Sequence, residues 1–392
     1  MHIRASDIQG MSRLVISATT GITDIVEGMH HTISRGPRRS EAHGRTDGIT
    51  GFVYRSVRGV TTVVGGTLDL ALLPAAALHN PPHSSTEREA VIAALNGVLG
   101  DHLAETHNPL SIRMALRPAY GASVTGEGEP AVTGRIVVLV HGLCMNDRQW
   151  LRAGHDHGAA LARDRGYTPR YLHYNSGLHI STNGRAFAEL LETTLAAWPV
   201  PVEELVVVGH SMGGLVARSA VHAASGASHG WLRHLRALVF LGTPHHGAPL
   251  ERGGNWIDLA LGAVPYVAPF ARLGRVRSAG ITDLRYGFLS DADWAEGDRF
   301  ARHDGSRVPV PLPAGVASFA AVAGLGENAA ACKGRLFGDG LVSLDSALGR
   351  HRDPAHDLAL PAERTWTGYG MNHLDLLSRP DVYAQLHRWL AH

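Results

Sequence analysis

Ser211 lies at the centre of Gly209-His210-Ser211-Met212-Gly213-Gly214. The residues around it are those that make a serine a nucleophile. An apolar run, Leu205 to Val208, precedes it and reads as a buried strand; Leu215 to Val221 follows it and reads as a helix. A strand that turns at once into a helix strains the backbone of the residue at its apex. Side chains two positions to either side would collide, which accounts for Gly209 and Gly213. The turn leaves a hydroxyl exposed at a sheet edge, with the Met212 N–H at a helix N-terminus facing the same space.

A serine hydroxyl needs a base within hydrogen-bond reach, and that base needs a carboxylate to orient it. Two downstream residues have fitting surroundings. Asp339 stands between glycines in Phe337-Gly338-Asp339-Gly340-Leu341-Val342, and Asp345 is the competing acid. His373 stands in Tyr369-Gly370-Met371-Asn372-His373-Leu374-Asp375, between a strand and the last helix. With 25 histidines in the chain, position has to select among them. The His210 side chain is expected to point away from the attacking oxygen, while His245 and His246 follow a strand and read as supporting or lining residues. His155-Asp156-His157 has two metal-type ligands but no third at a recognisable spacing, so it reads as a polar helix start. An oxyanion also needs two N–H donors. Met212 supplies one, and Leu143, in His141-Gly142-Leu143 after an apolar strand, supplies the other. The chemistry expected is acyl transfer through Ser211.

These residues require a scaffold that brings several loops to one edge. Strands are expected at 135–140, 168–174, 205–209, 235–242, 316–323 and 364–367, and helices at 155–165, 181–198 and 382–390. Alternation of this kind implies an α/β fold, a mainly parallel sheet wound on both faces. Residues 245–310 interrupt it as a cap. There Trp256, Leu259, Tyr266, Phe270 and Phe288, with His141 and His246, are the expected substrate-binding residues, forming a hydrophobic pocket.

The catalytic domain is taken as 110–392 and the preceding 1–109 as a helical extension. In the extension Ile8, Met11, Val15, Ala18, Ile22, Ile25, Met29 and Ile33 recur at helical spacing. A second stripe runs through Phe52, Val53, Val57, Val60, Val64 and Leu68. Thr86-x-x-Glu89 reads as a capping box opening a third helix, and Ile112, Met114 and Leu116 alternate as a short strand. The apolar stripes of 7–79 suit burial against the catalytic domain, a homo-oligomer interface, or contact with a membrane surface or polymer granule.

Composition narrows the class. A formal net charge of +1 gives no pull toward nucleic acid. Two cysteines, Cys144 and Cys332, make no disulfide framework, and Cys144 is expected to pack beside the oxyanion loop. No stretch of the sequence reads as a secretory signal or membrane span. The expected location is cytoplasmic, with peripheral contact to a membrane or granule left open.

Together His141-Gly142-Leu143, Gly209 to Gly213, Gly242-Thr243-Pro244-His245-His246-Gly247, Gly338 to Val342 and Asn372 to Asp375 resemble bacterial lipases and esterases and the PGAP1-like branch of the α/β-hydrolases. The resemblance covers about residues 130–392. It implies carboxylic-ester hydrolysis through an acyl-enzyme, with Ser211 as nucleophile, His373 as base then acid, and Asp339 orienting it; no cofactor is implied. Thioesterase or acyl-transferase chemistry, polyester depolymerisation, and a non-catalytic scaffold that keeps the fold are the other readings. Several such lipases hold calcium near the catalytic histidine, with an aspartate two residues after it. Asp375 matches that position, but Arg379 stands where a neutral ligand is expected. Arg379 is therefore expected to pair with Asp375 at i, i+4 in place of a metal.

Overall fold

The computed structural model of the 392-residue chain describes residues 4–35, 51, 53–61, 63, 66–67, 84–119, 132–248, 278–295, 307–328 and 338–391. It forms two compact units, one of residues 1–88 with 103–111 and the other of 89–102 with 112–392.

The first unit is helical. Helix α1 spans Ala5–Arg35, and residues 53–61 are helical. Arg58 ties the two together, bonding Asp24 at 2.7 Å and also Glu27. The stripe residues Ile8, Met11 and Val15 lie on the exposed side of α1. Their exposures are 52%, 37% and 55%, whereas Asp7 and Leu14 are buried. The register is set by polar contacts and close approach. The Arg88 guanidinium grips both oxygens of Asp7 at 2.5 and 2.6 Å. A Cβ at Gly10 would stand 2.4 Å from Leu110 Cγ. Val53, Val57 and Val60 are likewise exposed. Phe52, Val64 and Leu68 lie outside the described residues.

Helix α2 spans Thr86–Glu105. Its N-terminal hydroxyl cap comes from Ser85, whose Oγ accepts from Arg88 N at 3.3 Å. Thr86 is the first helical residue, so the expected cap moves back by one.

In the second unit seven strands form one sheet in the order β1-β3-β2-β4-β5-β6-β7. They are β1 Ala115–Arg117, β2 Arg135–Val140, β3 Thr168–His173, β4 Glu204–His210, β5 Leu235–Leu241, β6 Ala317–Gly324 and β7 Thr365–Tyr369. Only β1 is antiparallel to its neighbour; β2 through β7 run parallel. The sequence places all six parallel strands within a residue or two at each end, while β1 is shorter than the alternation at 112–116 suggests. The helices are α3 His157–Arg165, α4 Ile180–Ala196, α5 Met212–Ala227, α6 Ala279–Tyr286, α7 Leu344–Ala347 and α8 Pro380–Trp389.

The central strands are buried on both faces. Val137, Leu139, Val206, Val208, Val239 and Leu241 join Trp150, Leu161, Leu376 and Leu386 in one core. Each such side chain, fully removed from water, contributes about 1.5–3 kcal/mol. That burial holds the carboxyl edge of the sheet rigid, and the loops that leave it carry the polar residues. Sheet order and the sharp turn after β4 make this the α/β-hydrolase fold.

Candidate active site

Ser211 occupies the turn between β4 and α5 with φ 54° and ψ −126°, a left-handed backbone rare for a residue with a side chain. Its neighbours explain how the turn closes. A Cβ at Gly209 would stand 2.5 Å from Gly214 N, and one at Gly213 would stand 2.1 Å from Val140 O. Gly214, which the pentapeptide pattern does not include, is equally constrained: its Cβ would meet Thr243 Oγ1 at 2.0 Å. The Ser211 amide donates to Leu241 O at 2.8 Å, fixing the apex to the end of β5. The Ser211 hydroxyl is buried and has no hydrogen-bond partner among the described residues.

Asp339 and His373 sit on loops after β6 and β7. His373 Nδ1 and Asp339 Oδ2 are 2.6 Å apart, with both side chains buried. The other oxygen of Asp339 accepts from the amides of Leu341 at 3.0 Å and Val342 at 2.8 Å. Gly340, at φ 95°, lets the chain curl round the carboxylate. Asp345, the competing acid, is exposed on α7 and reaches only Arg350, at 4.0 Å. His373 opens a 3-10 turn, His373–Leu377, that Asn372 caps through its side chain. His210 lies beside the base: the two rings are 4.8 Å apart, and His210 Nε2 is 3.2 Å from His373 O. Burial, then the neighbouring His373, holds the His210 pKa well below its ordinary value, so its imidazole is neutral and donates this bond.

The loop after β2 passes over the nucleophile. A Cβ at Gly142 would stand 3.0 Å from Cβ of Ser211. Among the described residues no acceptor is bonded to the amide of Leu143 or of Met212. The loop is braced from below. Tyr174 Oη donates to His141 O at 2.8 Å, and the Cys144 amide donates to Ser176 Oγ at 3.0 Å. Cys144 has φ 59°, is buried, and its thiol is pushed up to about 12 by burial. It therefore packs and does not ionise, and a Cβ at Gly97 would meet its Sγ at 2.2 Å. Tyr174 and Ser176 follow β3 in an unremarkable polar run, so their bracing role is visible only in three dimensions.

The expected substrate-binding residues are placed unevenly. His141 is fully buried, stacked on Tyr174 at 4.3 Å, and burial lowers its pKa to about 4. Phe288 is buried after α6. His246 is half-buried beside Arg307 and His351. Trp256, Leu259, Tyr266 and Phe270, and most of the expected cap, lie outside the described residues, as does Cys332.

One expectation is corrected. Arg379 does not pair with Asp375; it bonds Asp381 at 3.2 Å. Asp375 instead closes the Asn372 cap, accepting from Asn372 N at 2.8 Å. The 3-10 turn at 373–377 ends at Ser378; the Arg379 amide still donates to Asp375 O at 3.0 Å, while its guanidinium turns to Asp381.

Residues 131–304 match the family model of the PGAP1-like alpha/beta domain. Among solved structures the chain is similar to a mature-form lipase of Bacillus licheniformis: 16% identity, 71% of this chain and 97% of that one, TM-score 0.42. It is also similar to a lipase-esterase related protein of Clostridium acetobutylicum, with 11% identity, 71% and 99% coverage and a TM-score of 0.38. A third is Aspergillus fumigatus lipase B, with 11% identity, 71% and 56% coverage and a TM-score of 0.39. No curated protein sequence matches the chain significantly.

Proposed function

We propose that the protein is a serine carboxylic-ester hydrolase acting on hydrophobic esters. Ser211 is the nucleophile; His373 takes its proton and returns it to the leaving alcohol; Asp339 holds the imidazole. The amides of Leu143 and Met212 bind the oxyanion, a role typically worth about 10²–10³ in rate per donor. The observation that carries this reading is the buried 2.6 Å contact between His373 Nδ1 and Asp339 Oδ2. It leaves Nε2 of the same ring as the atom that works on a substrate. The carboxylate is further committed by two backbone amides, and the hydroxyl sits on a strained turn.

A fluorophosphonate probe should label the wild-type protein and not Ser211→Ala. Unchanged labelling of the variant rejects the mechanism, and the absence of any labelling favours the non-catalytic scaffold. Profiling with p-nitrophenyl esters then separates esterase from lipase by acyl length.

A second reading rests on the exposed row Ile8, Met11 and Val15. In it, the N-terminal unit docks the enzyme on a membrane or on an insoluble polyester that Ser211 hydrolyses.

A further inference from the structure

Beyond the nucleophile, α5 carries Arg218, seven residues and therefore about 10 Å along the helix from Ser211. This arginine is 5% exposed. Its guanidinium bonds Val310 O and lies 3.3 Å from His245 Nδ1. A second guanidinium, Arg307, donates to His245 O at 3.0 Å and contacts His246 Nδ1. Arg218, Arg307, His245, His246 and His356 line one small recess.

Two features of that recess are unusual. The first is charge. Among the described residues neither guanidinium has a carboxylate salt-bridge partner. The nearby Asp293 is spent on backbone amides, those of Leu289 at 2.9 Å, Ser290 at 2.8 Å and Val308 at 2.7 Å. Burial and repulsion from Arg307 lower the Arg218 pKa to about 9, which still leaves it cationic at neutral pH. A buried cation without a counter-charge is costly unless something anionic completes it.

The second feature is unused donors. Because Arg218 donates to His245 Nδ1, the proton of that neutral ring resides on Nε2. His245 is 1% exposed, and neither its Nε2 nor Arg218 Nε has a partner among the described residues. Both atoms can only donate, so they ask for an acceptor.

We propose that this recess is a binding site for a small oxyanion, a phosphate or carboxylate group, held by Arg218, Arg307 and His245. Planar guanidinium groups suit such anions because they donate through paired N–H groups. The oxyanion has two sources: a free ion, or an anionic group on the ester substrate. The loop from Gly242 to Gly247 begins beside His373 and ends at this recess. The binding claim itself does not depend on hydrolysis.

The test is thermal unfolding of the full chain carrying Ser211→Ala, titrated with inorganic phosphate at constant ionic strength. A saturable rise in Tm is expected. Arg307→Gln should remove it, Arg307→Lys should weaken the apparent affinity about tenfold, and Arg350→Gln at the exposed surface should leave it unchanged. No saturable rise, or an equal rise in Arg307→Gln and Arg307→Lys as in the parent, overturns the site. If Arg307→Gln does not fold, Arg307→Lys decides alone. To assign the source, kcat/KM is compared for a neutral ester and one bearing a terminal phosphate, in otherwise wild-type protein and in Arg307→Lys. A preference for the charged ester that falls in Arg307→Lys supports a substrate group. Equal rates alongside phosphate binding support a free ion.

Discussion

His210 Nε2 donates to the backbone carbonyl of His373 across 3.2 Å, so the residue before the nucleophile holds the chain that carries the base. The other end of the same turn is held in the same way: His157 Nε2 is 2.9 Å from Leu376 O. His155 Nε2 lies 2.8 Å from His157 Nδ1 and donates to it, which fixes the proton of His157 on Nε2. Two buried neutral rings thus pin a five-residue turn at its first and fourth residues. A short 3-10 turn has weak internal hydrogen bonding, so its orientation depends on such outside donors.

Replacing His157 with Phe should loosen the turn without touching substrate. The expected result is a fall in kcat of about 10–100-fold, the scale of a small misplacement of a reacting group, with KM changed less than twofold. His157→Gln keeps an N–H donor at the same reach and should recover most of the rate. Equal losses in both variants would mean that ring packing against Trp150 and Tyr383, not the hydrogen bond, is what matters.

Asp339→Asn should preserve the fold, because an amide oxygen can still accept from Leu341 and Val342. It presents the wrong partner to His373 Nδ1 and should lower kcat by about 10⁴. Asp345→Asn should leave activity unchanged. Steady-state kinetics on a p-nitrophenyl ester decides, and a strong loss in Asp345→Asn would shift the acid to that residue.

Much of this site is legible in the sequence because its parts are local. The glycines around Ser211 and Asp339, and the strands before them, declare sharp turns at sheet edges. What stays hidden is side-chain contact across long separations. Nothing near His157 signals that its ring reaches Leu376, and nothing near Gly214 signals that Thr243 presses against it. In α1 the apolar stripe alone does not say which face is buried; Asp7 pairing with Arg88 and the bare backbone of Gly10 decide it. The pairing expected of Arg379 fails because both partners are engaged elsewhere: Asp375 accepts from Asn372 N, and the Arg379 guanidinium turns to Asp381.

Stability should fall in mild acid. Burial, the largest cause, lowers the pKa values of His141 and His157 to about 4, from an ordinary value of 6.5. Between those values the unfolded chain binds more protons than the folded one. Stability should therefore be level above pH 6.5 and decline as pH falls toward 4. Each ring contributes on the order of 2–3 kcal/mol across the full window. Tm measured at pH 7.5, 6, 5 and 4 checks this, and His157→Phe should show a shallower decline. A flat Tm over that range would contradict the burial argument.

Chelation should not affect activity. The Asp375 carboxylate accepts from Asn372 N, and the nearby Arg379 cation is paired with Asp381. This carboxylate is used in shaping the turn that carries His373. Incubation with a chelator should leave kcat and Tm unchanged, while Asp375→Ala should lower both by removing a cap worth about 1 kcal/mol. Inactivation by the chelator with recovery on adding calcium would reinstate a metal at this position.

The exposed row on the N-terminal unit leads to the last prediction. Ile8, Met11 and Val15 stand at i, i+3 and i+7 on α1 with exposures of 52%, 37% and 55%. Val53, Val57 and Val60, at i, i+4 and i+7 in the next helical stretch, are 52%, 40% and 64% exposed. Scattered apolar residues on a surface need no explanation, but two rows at helical spacing form stripes, and stripes suit an interface. Ile8→Ser with Val15→Ser removes apolar area from a face that contributes little to the core, so folding should survive. The expected outcome is reduced co-sedimentation with neutral phospholipid vesicles or polyester particles, and slower hydrolysis of emulsified esters. Hydrolysis of a soluble short-chain ester should not change, since Ser211 and its partners are untouched. Unchanged sedimentation together with a shift from dimer to monomer would assign the stripe to self-association instead.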